Sequence, residues 1–162
     1  MSNREYVRRL INAIYYLDGL YERGGKLSGV EGNMTVFLYA LDDGKTHTQK
    51  SLQEEWMLPR TTLNTIVKRC EKEGYLTLEP VKGTRREKAL LLTEKGKAYT
   101  KEVLADIYAV EEEAITETLR ECSSDFVSEF ELFVSNLDKY FKKHEDDKQA
   151  EENCTPCIND TY

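Results

Sequence analysis

Few residues in this chain are of the kinds that make and break bonds. Its two histidines, His47 and His144, stand far apart with no partner at ligand spacing, and no phosphate-cradling glycine loop or nucleophile elbow occurs. That pattern argues against an enzyme, and no cofactor is expected. Four cysteines remain: Cys70, Cys122, Cys154 and Cys157. Cys70 shares an apolar helical face with Leu63, Ile66 and Val67, which suits an inert packed thiol. Cys122 falls at a junction between helices, where a thiol can reach oxidants. Cys154-Thr-Pro-Cys157 is half of a tetrahedral metal site, and two chains would supply all four thiolates. Three readings stay open for that pair: a spectator, an oxidisable switch, or a shared metal. A single chain by itself is not expected to hold a metal.

The chemistry that the sequence favours is electrostatic. The 162 residues carry a net charge of −7, which argues against a polyanionic partner until the charge is divided along the chain. From Lys45 to Lys101 there are 13 Lys and Arg against 7 Asp and Glu, a net of +6, while the rest carries 10 against 23, a net of −13. A basic middle between acidic ends is what a DNA-reading module on a non-binding scaffold needs, because the local field governs contact with phosphate. Arg85 and Arg86, near Gly83, belong to that region.

Elements that could position these side chains follow from periodicity. Val7, Leu10, Ile11, Ile14, Leu17 and Tyr21 predict an amphipathic helix from about Glu5 to Arg23, ended by Gly24-Gly25. Met34, Phe37, Leu38 and Leu41 mark a short second helix, closed by Asp42-Asp43-Gly44. Thr48 can cap a third helix running to about Trp56, and Pro59 suits the first turn of a fourth that ends near Gly74. Two short helices joined by about three residues form a helix-turn-helix. Tyr75–Glu79 and Ala89–Thr93 then read as strands around a loop carrying Gly83, Arg85 and Arg86, the pattern of a wing. A long fifth helix starts at Glu94 with two apolar rows. A last helix, capped by Ser123 or Ser124, presents Phe126, Val127, Phe130, Phe133, Val134, Leu137, Tyr140 and Phe141, too many apolar groups to be left in water.

The middle of the chain resembles the MarR family of transcription regulators, and the likeness covers roughly residues 6 to 142. It rests on Thr48-Gln-Lys-Ser-Leu-Gln-Glu-Glu-Trp56, Leu58-Pro-Arg-Thr-Thr-Leu-Asn-Thr-Ile-Val-Lys-Arg69, Glu71-Lys-Glu-Gly-Tyr-Leu76 and Leu92-Thr-Glu-Lys-Gly96, the last similar to the signature that opens the family's dimerisation helix. The resemblance implies a homodimer with intertwined terminal helices, two winged lobes and, in many members, a small-molecule pocket where lobe meets dimerisation helices. Two positions depart from the family pattern. Thr84 stands where an Asp commonly precedes the wing Arg, here Arg86, and Met57 takes the place of a turn glycine, a position where a Cβ tolerates positive φ poorly.

The expected fold is therefore mainly α with a small β-hairpin wing, a winged helix-turn-helix whose N- and C-terminal helices form a dimerisation region. Its parts are an N-terminal dimerisation helix and linker (1–33), the DNA-binding lobe (34–95), C-terminal dimerisation helices (96–144) and an acidic, disordered tail (145–162). Arg60, Thr61, Thr62, Asn64 and Thr65 at the start of the recognition helix are candidates for reading bases, although Thr61 and Thr62 serve equally well as helix caps. Thr48, Gln49, Lys68 and Arg69 suit phosphate, and Arg85 and Arg86 the minor groove. Tyr15, Tyr16, Tyr21 and Tyr108 are candidates to line an effector cavity, against the plainer reading of aromatic core. The expected partners are double-stranded DNA with a pseudo-palindromic operator, a second copy of the chain, and a small-molecule effector. No apolar run approaches the roughly 18 residues of a membrane span, and MSNREYVRRL has no signal-peptide core, so a cytoplasmic repressor is the expectation. The competing reading is a winged-helix module that binds protein and not DNA.

Overall fold

A computed structural model describes residues 1–27, 29–84 and 86–153, without the side chains of residues 26, 27, 152 and 153. Arg85, Cys154 and Cys157 lie outside the described residues. In chain order the elements are α1 (Asn3–Leu27), α2 (Gly32–Leu41), β1 (His47–Thr48), α3 (Gln49–Glu55), α4 (Arg60–Lys72), β2 (Leu76–Pro80), β3 (Lys88–Leu92), α5 (Glu94–Glu121) and α6 (Asp125–Asn153). The helix-turn-helix and its hairpin wing thus stand where periodicity put them. The chain divides into two units, Met1–Glu112 and Glu113–Tyr162.

The core of the first unit is apolar and closed. Phe37 and Leu38 of α2, Leu52 of α3, Leu63 and Val67 of α4, and Leu104 of α5 are all fully buried. Burying each such side chain stabilises the fold by about 1.5 to 3 kcal/mol. Cys70 lies in this core with its Sγ 3.8 Å from Met34 Sδ. Burial pushes its thiol up to about 11, so it is an unreactive packing group, as its position on the apolar face suggests.

The sheet has one strand more than alternation reveals. All pairings are antiparallel and the order is β1-β3-β2, so β3 is central. Two residues, His47 and Thr48, form β1 and pair with Leu90 and Ala89. A strand that short leaves no alternation to detect.

Two boundaries differ from expectation. Helix α1 does not stop at Gly24-Gly25 but runs through them to Leu27. Gly25 is buried, and a Cβ there would meet Thr35 Oγ1 only at an ordinary contact distance of 3.8 Å, so the helix passes through this position without strain. Helix α6 continues to Asn153, through a segment whose composition suggests an unstructured tail. That segment contains neither Gly nor Pro up to Asn153 and is rich in helix-forming Glu, Lys, Gln and Ala.

The residues Leu92-Thr93-Glu94-Lys95-Gly96 form a clamp. Thr93 donates its amide to Tyr75 O (3.0 Å) and its hydroxyl to Gly74 O (2.7 Å), while accepting from the amide of Gly96 (3.0 Å) as the cap of α5. Lys95 Nζ donates to Glu73 O at 2.7 Å and lies 4.9 Å from the centre of the Tyr75 ring. Tyr75 in turn stacks on Tyr99 at 4.3 Å. Gly96 is required by contact: a Cβ there would overlap the carbonyl of Tyr75. The end of α4 and the start of α5 are thereby held together by a handful of side chains.

Candidate nucleic-acid interface and adjoining cavity

Thr48 begins the site. Its Oγ1 accepts from the amide of Ser51 and its own amide donates to Ser51 Oγ, both at 3.1 Å, a reciprocal cap that fixes the start of α3. Pairing of Thr48 with Ala89 ties that cap to the root of the wing. After α3 the chain turns through Trp56, Met57, Leu58 and Pro59. Leu58 is buried and anchors the turn.

Met57 adopts φ 51° and is 83 % exposed. The turn therefore keeps the conformation that glycine would favour despite carrying a Cβ, at a cost of about 1 kcal/mol. Extended Pro59 is the N-cap of α4 and supplies no side-chain cap bond. Thr61 and Thr62 are consequently inside the helix and do not cap it. The first amides of α4, at the positive end of the helix dipole, are left without a side-chain partner.

Helix α4 buries Leu63, Ile66, Val67 and Cys70 and turns Arg60, Thr61, Asn64, Thr65, Lys68 and Arg69 to the surface, with Thr62 between. The Thr65 hydroxyl donates to Thr61 O at 3.1 Å, so it is partly occupied by its own helix. In the wing, Val81 N donates to Glu87 O and Thr84 N to Val81 O, both at 3.3 Å, closing the loop that presents Arg86.

These elements converge on one depression of about 380 Å³. It gathers Thr48, Gln49, Arg60, Asn64 and Arg86, drawn from α3, α4 and the wing. Lys68 and Arg69 lie farther along α4 and outside it. Sequence reasoning passed over Lys50 and Lys88, which also line the depression. Their signal is faint, because a lysine in an exposed helix or at a strand end has no distinguishing neighbours.

Charge in the depression is largely unopposed. Glu87 lies 3.9 Å from Lys50, bridging α3 and the wing root. Among the described residues no carboxylate comes within 4.0 Å of the cationic groups of Arg60, Lys68, Arg69, Arg86 or Lys88. Cations held apart from the protein's own acids can meet phosphate oxygens without first breaking an ion pair.

A second, larger cavity of about 760 Å³ opens between α1, α2, α5 and the end of α3, and Tyr21, Tyr39 and Trp56 are among its walls. Of the four candidate tyrosines, Tyr21 lines it. Tyr15 and Tyr16 are 74 % and 68 % exposed and stand away from it. Tyr108 donates to Asp42 Oδ2 at 2.9 Å and packs edge-on against Tyr39. Tyr21 and Tyr39 each donate to Glu111, at 2.6 and 3.1 Å, so one carboxylate joins α1, α2 and α5.

Comparison with known proteins agrees with this geometry. The sequence model of the MarR family matches residues 28–87. No curated protein matches the chain by sequence. A MarR family regulator from Neisseria meningitidis superposes with a TM-score of 0.69 at 20 % identity, over 88 % of this chain and 98 % of that one. A MarR protein of Staphylococcus aureus, solved with salicylate and kanamycin, gives 0.59 at 17 % identity, over 86 % of this chain and 92 % of that one. A MarR family regulator from Listeria monocytogenes, solved with a 26mer DNA, gives 0.56 at 18 % identity, over 96 % of this chain and 97 % of that one.

Proposed function

We propose that this chain, matched over residues 28–87 by the MarR family model and folded as a winged helix, is a homodimeric regulator of transcription that binds double-stranded DNA. The observation that carries this reading is the depression where Arg60 and Asn64 of α4 stand together with Arg86 of the wing, with no carboxylate among the described residues within 4.0 Å of either arginine's guanidinium. Arg60, Thr61 and Asn64 face outward at the N-terminal end of α4, where a recognition helix meets base edges in the major groove. Thr48, Gln49, Lys50 and Lys68 contact phosphate, and Arg86 follows the minor groove beside the wing. The Listeria relative, solved with a 26mer DNA, supports DNA as the partner of this fold.

A single lobe offers few contacts, so affinity comes from two lobes reading half-sites about one helical turn apart. The second copy is also what the exposed apolar groups need: Leu17 of α1, Ile115 of α5, and Phe130 and Phe141 of α6 are 50 %, 40 %, 39 % and 61 % exposed. The regulator represses, and a small molecule in the larger cavity releases it. The salicylate-bound relative supports a ligand site in this fold. A redox signal through Cys154 and Cys157 is the second route to release.

Selection of bound duplexes from random DNA at two salt concentrations tests the reading. A pseudo-palindrome should be enriched, and affinity should fall steeply as salt rises. Arg86→Ala should weaken binding roughly tenfold, about 1.4 kcal/mol, with an unchanged melting temperature. Absence of enrichment would favour a protein-interaction module instead.

A further inference from the structure

The walls of the larger cavity have an unusual charge balance for their shape. Tyr21, Tyr39 and Trp56 supply aromatic surface, with Tyr39 and Trp56 edge-to-face at 5.8 Å. Beside them stand Asp18 and Glu22, one turn apart on α1, and Glu31 at the start of α2. Among the described residues none of these three carboxylates is paired with a cation, and no Lys or Arg lines the cavity. Glu31 is the N-cap of α2, but its side chain makes no cap bond, so its charge is not spent on the helix amides.

The phenols add to the same bias. Both hydroxyl groups donate to Glu111, and burial together with that carboxylate raises the Tyr21 and Tyr39 phenols above their ordinary range. With those protons committed, the two side chains offer the cavity lone pairs and ring faces. The remaining side-chain donors, such as the amide of Asn33 and the indole N–H of Trp56, are neutral. The N-terminus of α2 contributes roughly half a positive charge, against three full carboxylates.

We propose that this cavity binds an organic cation with an aromatic or bulky apolar body, of the quaternary ammonium or phosphonium kind, held by Asp18, Glu22 and Glu31 around the Tyr21, Tyr39 and Trp56 rings. Among the described residues, an anion of the same size meets carboxylates and no cationic side chain. A desolvated cation gains both from the carboxylates and from the ring faces. This deepens, and for its biological use rests on, the reading of the cavity as the effector site. Trp56 is also the C-cap of α3 and adjoins the Met57 turn, so a ligand against its ring bears directly on the helix-turn-helix.

Tetraphenylphosphonium and tetraphenylborate, nearly equal in shape and opposite in charge, separate the possibilities. Trp56 is the only tryptophan in the chain, so its emission reports the site, and equilibrium dialysis gives the stoichiometry. The phosphonium should alter Trp56 emission with a Kd of about 10 µM, and the borate should bind at least tenfold more weakly. Asp18→Asn/Glu22→Gln, at exposed positions that the core does not use, should cost the cation roughly tenfold and narrow its preference over the borate. Equal or tighter borate binding overturns the proposal. So does a phosphonium affinity untouched by the double variant, which would mean attraction to the acidic surface at large, or no binding by a folded protein. A chain that takes the phosphonium at Trp56 yet retains no DNA upholds this inference and sinks the regulator reading. A chain that retains DNA yet ignores the phosphonium does the reverse.

Discussion

Phe37 and Phe141 are the same side chain in two different situations. Phe37, in the winged lobe, is fully buried among residues of α2 to α5, whereas Phe141, on α6, is 61 % exposed. The lobe closes its core with its own chain. The long terminal helix cannot, because one helix with an apolar stripe has nothing of its own to fold that stripe against. Sequence elements of similar hydrophobicity are therefore buried in one place and left exposed in the other, and under the proposed dimer the contrast separates what folds a subunit from what joins two.

The largest expected effect probes the exposed side of that contrast. Phe130→Asp places a charge in the middle of the α6 stripe beside Phe133, its ring neighbour at 6.5 Å. We expect the unaltered chain to sediment as a dimer and the variant as a monomer at micromolar concentration, a loss of about 4 kcal/mol. A monomeric parent would break the comparison, because α6 would then tolerate its exposure.

The buried side is probed by Gly96→Ala. The added methyl overlaps the Tyr75 carbonyl and must pry α5 from the end of α4, which should cost about 3 kcal/mol in denaturant unfolding. A variant of unchanged stability would mean that the clamp has slack. Smaller and of opposite sign is Met57→Gly. Relieving the positive φ should raise stability by about 0.5 kcal/mol, after the entropy that glycine adds to the unfolded chain is deducted. A lowered melting temperature would show that the Met57 side chain contributes contacts that its 83 % exposure does not suggest.

The smallest effect concerns pH. The hydrogen bond with His47, and after it the amide of Lys45, hold the Asp43 carboxyl down to about 2 from 3.8. A carboxyl lowered in the folded state stabilises it above the unfolded value and loses that contribution as pH falls toward the folded one. Melting curves of the parent and Asp43→Asn should therefore differ above about pH 4 and converge near pH 2. A constant offset across that range would assign the difference to something other than this carboxyl.

Much of the fold is legible in the order of residues. Leu63, Ile66, Val67 and Cys70 mark the inner face of α4 by spacing alone, and Thr48 announces the cap of α3. The same reading leaves out β1, since two residues cannot alternate, and misplaces the end of α1, since glycine disfavours a helix interior without forbidding it and α1 runs through Gly24 and Gly25 to Leu27. For the site, the basic segment is evident from charge, but its members are not sorted. Arg60 and Arg86 are 26 positions apart and meet only because β1 ties the start of α3 to the wing root.

The sequence by itself determined the helix-turn-helix, the wing, the Leu92–Gly96 signature and the division of charge, because periodicity, caps and composition are local properties. Tertiary structure decided which cations share one depression, that Glu111 joins two tyrosines 18 positions apart, and that three carboxylates and a lone tryptophan enclose one cavity. Those are long-range coincidences of direction and distance, set by how the helices pack, and no window of sequence contains them.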